Sequence, residues 1–302
     1  MKLQLLWRSA HVLGRALSPQ AARRTARIAG AVEGLTDAGV HRVALRISPR
    51  LARENPELVK VAPEWGTPSV LVRRQGLRLE LDLRDNLQAV LYYAGRYEPA
   101  VRRFLLSELR QGDVVLDVGA NIGLHALTAA KRLRELGGGR VIAFEPASDC
   151  LTKLQAAAER NNLHVEVVPT ALGERRYDAA LRADSRYDEA DAGVRSLYGD
   201  GAVVQKVPVI RLDDWVSEHA LPRLDVVKVD IEGGEVPALS GAARTLKRLR
   251  PRALLVEDKR IESSARLHAV LDELGYQATG EVLDHNALFR PEPLLTASVG
   301  RR

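Results

Sequence analysis

The feature that most constrains the fold is a short run in the middle of the chain, 114–123, which reads VVLDVGANIG. Apolar residues lead into an acid, then into two glycines, then into a helical pattern. This order predicts a buried parallel strand, a tight turn and a helix start, the ligand-binding unit of doubly wound α/β folds. Gly119 and Gly123 would let the backbone approach a ligand closely, and N–H groups at the helix start would hold its polar atoms.

The acids around this turn indicate which ligand it holds. Glu145 ends the next apolar strand, where an acid can accept hydrogen bonds from ribose hydroxyls. Dinucleotide-binding folds usually carry G-x-G-x-x-G, but this turn reads Gly-Ala-Asn-Ile-Gly. Asp117 would repel a pyrophosphate and attract a cationic amino acid group. We therefore expect S-adenosylmethionine, which has an ammonium, a sulfonium and a ribose. An NAD-dependent oxidoreductase is the weaker alternative.

Strands alternate with helices from residue 114 onward, which predicts an α/β domain with a parallel sheet. A hairpin is predicted around Gln75-Gly76, and the last strands should pair across 284–286. Residues 173–206 show little apolar periodicity, so we expect an irregular loop that shapes the acceptor pocket. The predicted strands are 114–119, 140–145, 164–170, 225–231 and 252–257, and the predicted helices are 122–136, 148–162, 235–249 and 262–274.

The amino-terminal residues differ from the rest. Leu3, Leu6, Ala10 and Leu13 recur at helical spacing, which predicts a helical extension over residues 1–62. Residues 63–302 would then form the cofactor-binding domain. The extension is basic, and a helical cap or homodimerisation arm is favoured over a surface that contacts anionic lipid or a carrier protein.

The composition of the chain bears on three questions: nucleic-acid binding, membrane insertion and disulfide bonds. The net charge is +6, but the Arg-rich, Ala-rich bias fits a GC-rich genome as well as an acidic partner, so nucleic-acid binding is not expected. No apolar run is long enough to span a bilayer. A single cysteine, Cys150, rules out an internal disulfide and fits a reducing, cytoplasmic location.

A second dense motif spans residues 224–235 and again reads as strand, glycine turn and helix. Asp230 and Glu232 should point to the crevice that holds Asp117, because ligands bind beyond the carboxyl ends of parallel strands. They could orient a substrate hydroxyl, take its proton, or bind a divalent ion, although no residue is assigned to a metal. Lys228 is expected to pair with a nearby carboxylate. For Glu235, stabilisation of a helix N-terminus and a functional role in the crevice both stay open.

These blocks resemble the FkbM family of S-adenosylmethionine-dependent methyltransferases over about residues 86–289. The resemblance implies a Rossmann-like methyltransferase sheet and, for most members, a hydroxyl acceptor on a small molecule such as a sugar or specialised metabolite. Carboxyl or amine methylation of a small molecule or peptide is an alternative, as is a non-catalytic binding module. The matching blocks are Gly95-Arg96-Tyr97-Glu98, residues 117–123, Phe144-Glu145-Pro146 with Asn161-Asn162, residues 212–241, and a strand ending at Glu257.

The resemblance and the pattern together assign candidate roles. His125 occupies a position where relatives often carry an aromatic residue, and helix packing is favoured over a role as general base. The cofactor-binding candidates are Asp117, Gly119, Asn121 and Gly123 around the methionine portion, Glu145 with Pro146 at the ribose, and Tyr97 and Glu98 over the methyl donor. The candidates for the catalytic base are Asp230, Glu232 and His285.

Overall fold

The computed structural model describes residues 69–82, 85–185, 192–258 and 261–293. The predicted helical extension over residues 1–62 lies outside these ranges. The chain divides into two compact units, one holding the described residues up to Tyr97 with 192–193, the other Glu98–Ser185 and the described residues from Val194 onward. No helix within the described ranges combines the length and apolar character that crossing a bilayer requires.

The first unit contains the predicted hairpin. Strands β1 (Val70–Arg74) and β2 (Leu77–Leu81) pair antiparallel through the turn at Gln75-Gly76. Both turn residues have positive φ angles, 51° and 80°, as a two-residue hairpin turn of type I′ requires. Helix α1 (Asn86–Ala94) follows, and Asp85 caps it by accepting the N–H of Gln88 at 2.9 Å.

The second unit carries the main sheet and the remaining helices. Its strands are β3 (Val114–Val118), β4 (Arg140–Phe144), β5 (Glu166–Val168), β6 (Ala171–Leu172), β7 (Tyr177–Arg182), β8 (Val203–Ile210), β9 (Val226–Val229), β10 (Ala253–Glu257), β11 (Tyr276–Leu283) and β12 (Asn286–Pro291). Its helices are α2 (Pro99–Glu108), α3 (Leu124–Glu135), α4 (Ser148–Arg160), α5 (Leu212–Glu218), α6 (Glu235–Ser240), α7 (Ala243–Leu249) and α8 (Ile261–Glu273).

The main sheet confirms the predicted α/β class. Its strand order is β11-β12-β10-β9-β3-β4-β5, with β5, β4, β3, β9 and β10 parallel and β12 and β11 closing it as an antiparallel hairpin. One sheet face, represented by Leu116, Val227 and Leu254, joins residues of α5–α8 in a continuous apolar core. The bounds of the predicted strands agree with the structure within two residues at each end, and the largest shortening is from 164–170 to β5.

The single helix predicted over 235–249 is wrong, because the chain forms α6 and α7 with a break at Gly241. A Cβ at Gly241 would lie 1.9 Å from the carbonyl oxygen of Gly173, so only glycine allows this close approach. The carboxylate of Asp213 then accepts the N–H groups of Arg244 and Thr245 at 3.2 and 2.8 Å, which starts the second helix afresh.

The expectation of an irregular segment over 173–206 is also wrong for part of that range. Strand β7 pairs antiparallel with β8, and β6 pairs parallel with β8, so a separate three-stranded sheet forms. Strand β7 is an edge strand in which only Leu181 is buried. It therefore lacks the apolar alternation by which a strand is recognised in sequence.

Helix α2 is held at both ends by residues from the far end of the unit. The Asp284 carboxylate accepts the N–H groups of Ala100 and Val101 at 2.9 and 3.1 Å. At the other end, Glu108 pairs with Arg252 at 2.9 Å and with Arg290 at 3.0 Å. The closing hairpin thus supplies the missing hydrogen-bond acceptor at the start of α2.

Candidate active site

One face of the main sheet carries polar side chains near its carboxyl end. Asp117 on β3 lies directly opposite Lys228 on β9, and Glu257 on β10 lies opposite Asn286 on β12. Side chains alternate between faces along a strand and share a face across paired positions. Lys228 is also opposite Leu255, two residues before Glu257, so all four polar side chains project from the same face. The other face holds the apolar core.

The turn after β3 passes very close to the end of β9. Gly119 has φ 81°, and a Cβ there would lie 1.9 Å from the carbonyl oxygen of Asp230. Gly123 has φ 85° and precedes α3, where a Cβ would lie 2.6 Å from Cγ of Leu154. Both positions therefore need glycine for conformation and for space. The structure brings this turn and Asp230 together, as the two motifs predicted.

Glu145 braces the same turn from the end of β4. Its carboxylate accepts the N–H of Asn121 and the N–H of Ala147, each at 2.8 Å. Burial raises its pKa to about 7, and these two backbone hydrogen bonds only partly oppose that shift. Each carboxylate oxygen can accept more than one hydrogen bond, so the group can still receive ribose hydroxyls. Pro146, the next residue, lies partly buried in the turn before α4.

Asp117 is a buried acid whose carboxylate oxygens accept no hydrogen bond of ordinary geometry from the described residues. Its side chain is 2% exposed. Burial raises its pKa, whereas the charge of Lys228 and, more weakly, the backbone N–H of Ala126 act in the opposite direction. A buried polar group without a partner is costly, so this carboxylate is suited to a cationic ligand group.

Lys228 forms the predicted pair with a carboxylate. Its Nζ lies 2.7 Å from Oδ2 of Asp230, and both the strand position and its burial fix the ammonium in place. Burial opposes the charged form, but the carboxylates of Asp230, Asp117 and Glu98 outweigh it and raise the pKa of Lys228. The lysine is therefore a fixed cation among acids rather than a proton carrier near neutral pH.

Glu98 and His125 form a second buried pair, at 2.7 Å between Oε2 and Nε2. Burial alone would raise the pKa of Glu98, but the hydrogen bond with His125 and the charge of Lys228 lower it overall. The sequence favours helix packing as the role of His125. In the structure its ring also forms a hydrogen bond with the carboxylate of Glu98. Tyr97 belongs to the first unit, so the predicted pair of Tyr97 and Glu98 is divided between the two units.

The acids at the ends of β9 and β10 converge. Asp230, Glu232 and Glu257 each offer a carboxylate oxygen within 4.8 Å of the other two. Glu257 was predicted only as a strand end, although an acid closing a parallel strand is the same signal that identified Glu145. His285 differs, because it is exposed in the turn between β11 and β12, and no hydrogen bond or ion pair of its ring occurs among the described residues.

Glu235 holds the turn between Asp230 and α6. Its Oε1 accepts the N–H groups of Ile231 and Gly233 at 3.1 and 3.2 Å. Glu232 sits inside this turn with a left-handed φ of 56°. The buried carboxylate of Glu235 therefore supports the backbone at the start of α6, consistent with the structural alternative predicted for it.

The parallel sheet with its antiparallel closing hairpin, the glycine turn and the acids at strand ends define a Rossmann-like methyltransferase. The chain belongs to the FkbM methyltransferase family, because the family's sequence model, "Methyltransferase FkbM domain", matches residues 117–278. Residues 117–278 therefore form a methyltransferase domain of a family that uses S-adenosylmethionine. This family match argues against the NAD-dependent oxidoreductase, whereas the non-catalytic binding module stays an alternative prediction.

Individual curated relatives share about a third of their residues with this chain over the aligned region. The hexuronic acid methyltransferase AglP of Haloferax volcanii is 31% identical over 152 residues, covering 50% of this chain and 59% of that protein. The 31-O-demethyl-FK506 methyltransferase FkbM of Streptomyces tacrolimicus is 32% identical over 162 residues, covering 44% of this chain and 61% of that protein. The match with this chain thus spans about three fifths of the length of either relative.

One solved structure that resembles this chain also carries the name FkbM. The crystal structure of methyltransferase FkbM from Methylobacillus flagellatus is 20% identical, with a TM-score of 0.46, covering 68% of this chain and 52% of that one.

The residues of the crevice fit the cofactor. Among the described residues, the buried carboxylate of Asp117 has no hydrogen-bond donor of ordinary geometry, which suits an ammonium group, and Glu145 at the next strand end suits a ribose diol. The backbone at Gly119 and Gly123 leaves no room for a side chain, so both residues keep the turn close to neighbouring backbone and side-chain atoms.

Proposed function

We propose that this enzyme methylates a hydroxyl group of a small molecule, a sugar or a specialised metabolite. The observation that carries the proposal is the position of Asp230, whose carboxylate pairs with Lys228 and whose backbone carbonyl lies against the glycine turn. This arrangement would put a carboxylate close to the place where a methyl donor and an acceptor oxygen must meet. The relatives' names support a small-molecule acceptor. One acts on a hexuronic acid, which offers hydroxyls and a carboxyl, and the other acts on 31-O-demethyl-FK506, a name that places the methyl group on an oxygen.

The cofactor-binding roles follow from the contacts described above. Bound S-adenosylmethionine supplies a methyl group already activated on a sulfonium. Asp117 would receive the ammonium of its methionine portion, and Glu145 would accept hydrogen bonds from its ribose hydroxyls. Asn121 and Pro146 would shape the crevice through the turns they occupy. Since the donor is activated, the main task of the protein is to orient the two reactants.

Proton removal is the second task, because a neutral alcohol is a weak nucleophile. Lys228 holds one oxygen of Asp230 at 2.7 Å and so fixes the orientation of the carboxylate. We assign Asp230 as the group that orients the acceptor hydroxyl and takes its proton, with Glu232 as its neighbour in the acidic cluster. His285 is the weaker candidate, because no contact in the described ranges brings its ring to these acids.

The test is methyl transfer to a panel of hexuronic acids, neutral sugars and polyketide alcohols, followed by release of S-adenosylhomocysteine. Mass spectrometry before and after mild alkali identifies the product, since a methyl ether survives and a methyl ester is hydrolysed. An alkali-stable O-methyl product supports the proposal. A methyl ester, an N-methyl product, or no product with any hydroxyl acceptor contradicts it.

Asp230→Asn tests the assigned base. We expect kcat to fall by at least about 100-fold, the usual lower range for loss of general base catalysis. Binding of S-adenosylhomocysteine, measured by calorimetry, should stay within about twofold, because the assigned role concerns the acceptor. Glu218→Gln is the matched control, since Glu218 is a surface acid paired with Arg176. Unchanged turnover in Asp230→Asn would remove this residue from the mechanism.

Several expectations stay predictions. These are the helical extension over residues 1–62 with a catalytic domain over 63–302, a homodimer, the absence of a nucleic-acid partner and a cytoplasmic location. We also propose that Tyr97 and Glu98 contribute to the cofactor site, although the contact of Glu98 with His125 gives that carboxylate a structural role as well.

A further inference from the structure

The three acids at the ends of β9 and β10 have the spacing of cation ligands. One oxygen each from Asp230, Glu232 and Glu257 lies within 4.8 Å of the other two. Hard divalent cations bind oxygen ligands at about 2.0–2.6 Å, so oxygens around one such ion lie no farther apart than about twice that distance. Spacing alone does not make an ion site, because acids also cluster for other reasons.

Asn286 provides the independent observation. Its side chain is 0% exposed, and neither Oδ1 nor Nδ2 has a hydrogen-bond partner in the described part of the chain. It is directly opposite Glu257 in the antiparallel β10–β12 pair, so the two side chains share a face with Cβ atoms about 4.5–5.5 Å apart. A fully buried amide with no partner, aimed beside a carboxylate of the cluster, indicates a missing ligand.

The charges on this face point to a cation as that ligand. Lys228 lies on this face and pairs with Asp230. Glu232 and Glu257 add two further carboxylates, and Asp117 lies near Lys228 on the same face. The negative charges of the three clustered carboxylates would attract a divalent ion placed among them.

We propose that the carboxylates of Asp230, Glu232 and Glu257, with the carboxamide oxygen of Asn286, form a binding site for a hard divalent cation of the magnesium, manganese or calcium type. All four donors are oxygens, which these ions prefer. A cation there would bind an acceptor hydroxyl and favour its deprotonation. The ion site itself follows from these residues and does not depend on the proposed reaction.

The test uses Mn²⁺ alone as the probe, added to the full chain after treatment with a chelator and its removal. The paramagnetic resonance signal of free Mn²⁺ reports how much metal is bound. We expect one tight site per chain, competed by Mg²⁺ or Ca²⁺. Glu257→Gln and Asn286→Leu should each weaken binding at least about tenfold, since even indirect supports of a metal site cost that much.

Two further variants make the result decisive. Asn286→Asp keeps an oxygen at this position and should bind Mn²⁺ at least as tightly as the wild type. Glu218→Gln, a surface change, should bind as the wild type does. Absence of stoichiometric Mn²⁺ binding, or equal affinity in the wild type, Glu257→Gln and Asn286→Leu, overturns the ion site. A loss in Asn286→Asp as large as in Asn286→Leu also overturns it.

Binding of S-adenosylhomocysteine, measured on the same samples, separates this inference from the proposed function. If the cofactor product binds and Mn²⁺ does not, the ion site is wrong and the methyl-transfer proposal is untouched. If Mn²⁺ binds at these residues but no hydroxyl acceptor is methylated, the proposed acceptor class is wrong and the ion site is supported.

Discussion

Cofactor affinity should rise with pH through neutrality because of Glu145. Burial raises the pKa of its carboxyl group to about 7 in the unliganded protein. The ionised form is the better acceptor for ribose hydroxyls, because hydrogen bonds to a charged acceptor are stronger. Binding of S-adenosylhomocysteine should therefore favour the ionised form and release a proton. In the unliganded protein the same shift lowers stability as pH rises from about 4.5 through about 7.

The size of the effect follows from that pKa. Glu145 would be about 10% ionised at pH 6 and about 90% ionised at pH 8, so affinity should increase by up to about tenfold over this interval. Proton release should be about 0.5 per binding event at pH 7. Because ligand binding draws on the ionised form, the rise in Tm caused by a fixed ligand concentration should also grow across this range.

Calorimetric titration at pH 6, 7 and 8, in two buffers of different ionisation enthalpy, measures both quantities. Glu145→Gln should bind more weakly at every pH and lose the pH dependence, since an amide does not titrate in this range. In the wild type, the two oxygens of the Glu145 carboxylate accept the backbone N–H groups of Asn121 and Ala147. The glutamine side chain has only one oxygen, so its NH2 group would face one of these donors and that hydrogen bond would be lost. A flat affinity in the wild type, or an unchanged pH profile in Glu145→Gln, would refute the assignment of this shift to Glu145.

Two further predictions concern the turn and the second buried pair. Gly119→Ala should lower Tm far more than Gly112→Ala and abolish S-adenosylhomocysteine binding, because both glycines have positive φ but only a Cβ at Gly119 meets the backbone of Asp230. An equal loss of Tm in the two variants would show that the contact between a Cβ at Gly119 and the Asp230 backbone does not affect stability. Glu98→Gln should reduce the free energy of unfolding at pH 7 and much less below the ordinary glutamate pKa of 4.5, since the pKa of Glu98 is lowered in the folded state. Urea titrations at both pH values measure this, and a penalty that persists at acid pH would contradict it.

The parts of the fold that sequence predicts are those set by local patterns. The apolar runs of β3, β4, β9 and β10 are buried on both faces, so each appears as a continuous stretch with a clear end. Helices α3, α4 and α8 carry amphipathic periodicity over three turns or more, and their predicted bounds agree with the structure within two residues. Acids directly after such strands identified Glu145 and Asp230 for the same reason.

The parts that sequence does not predict depend on distant contacts. The break between α6 and α7 falls at Gly241, which must be glycine because Gly173, 68 positions earlier (241 − 173 = 68), lies against it, and no local pattern records that approach. Asn286 was assigned to a turn, since Asp284-His285-Asn286 has turn composition, but β12 begins at this residue. Its position beside Glu257 requires the strand order of the sheet, which a periodicity argument cannot supply.

The anchoring of α2 has a consequence for how the protein folds. The N–H groups at the start of α2 are bound by Asp284, which follows them by 183 and 184 positions. At the end of α2, Glu108 pairs with Arg252 and Arg290, which lie 144 and 182 positions later. Contacts of such long sequence separation slow folding, because a large loop must close before they form. During synthesis, α2 would emerge long before its partners and remain uncapped until the last hairpin is made. Closure of the β11–β12 hairpin would therefore be the step that completes the hydrogen bonding at the start of α2.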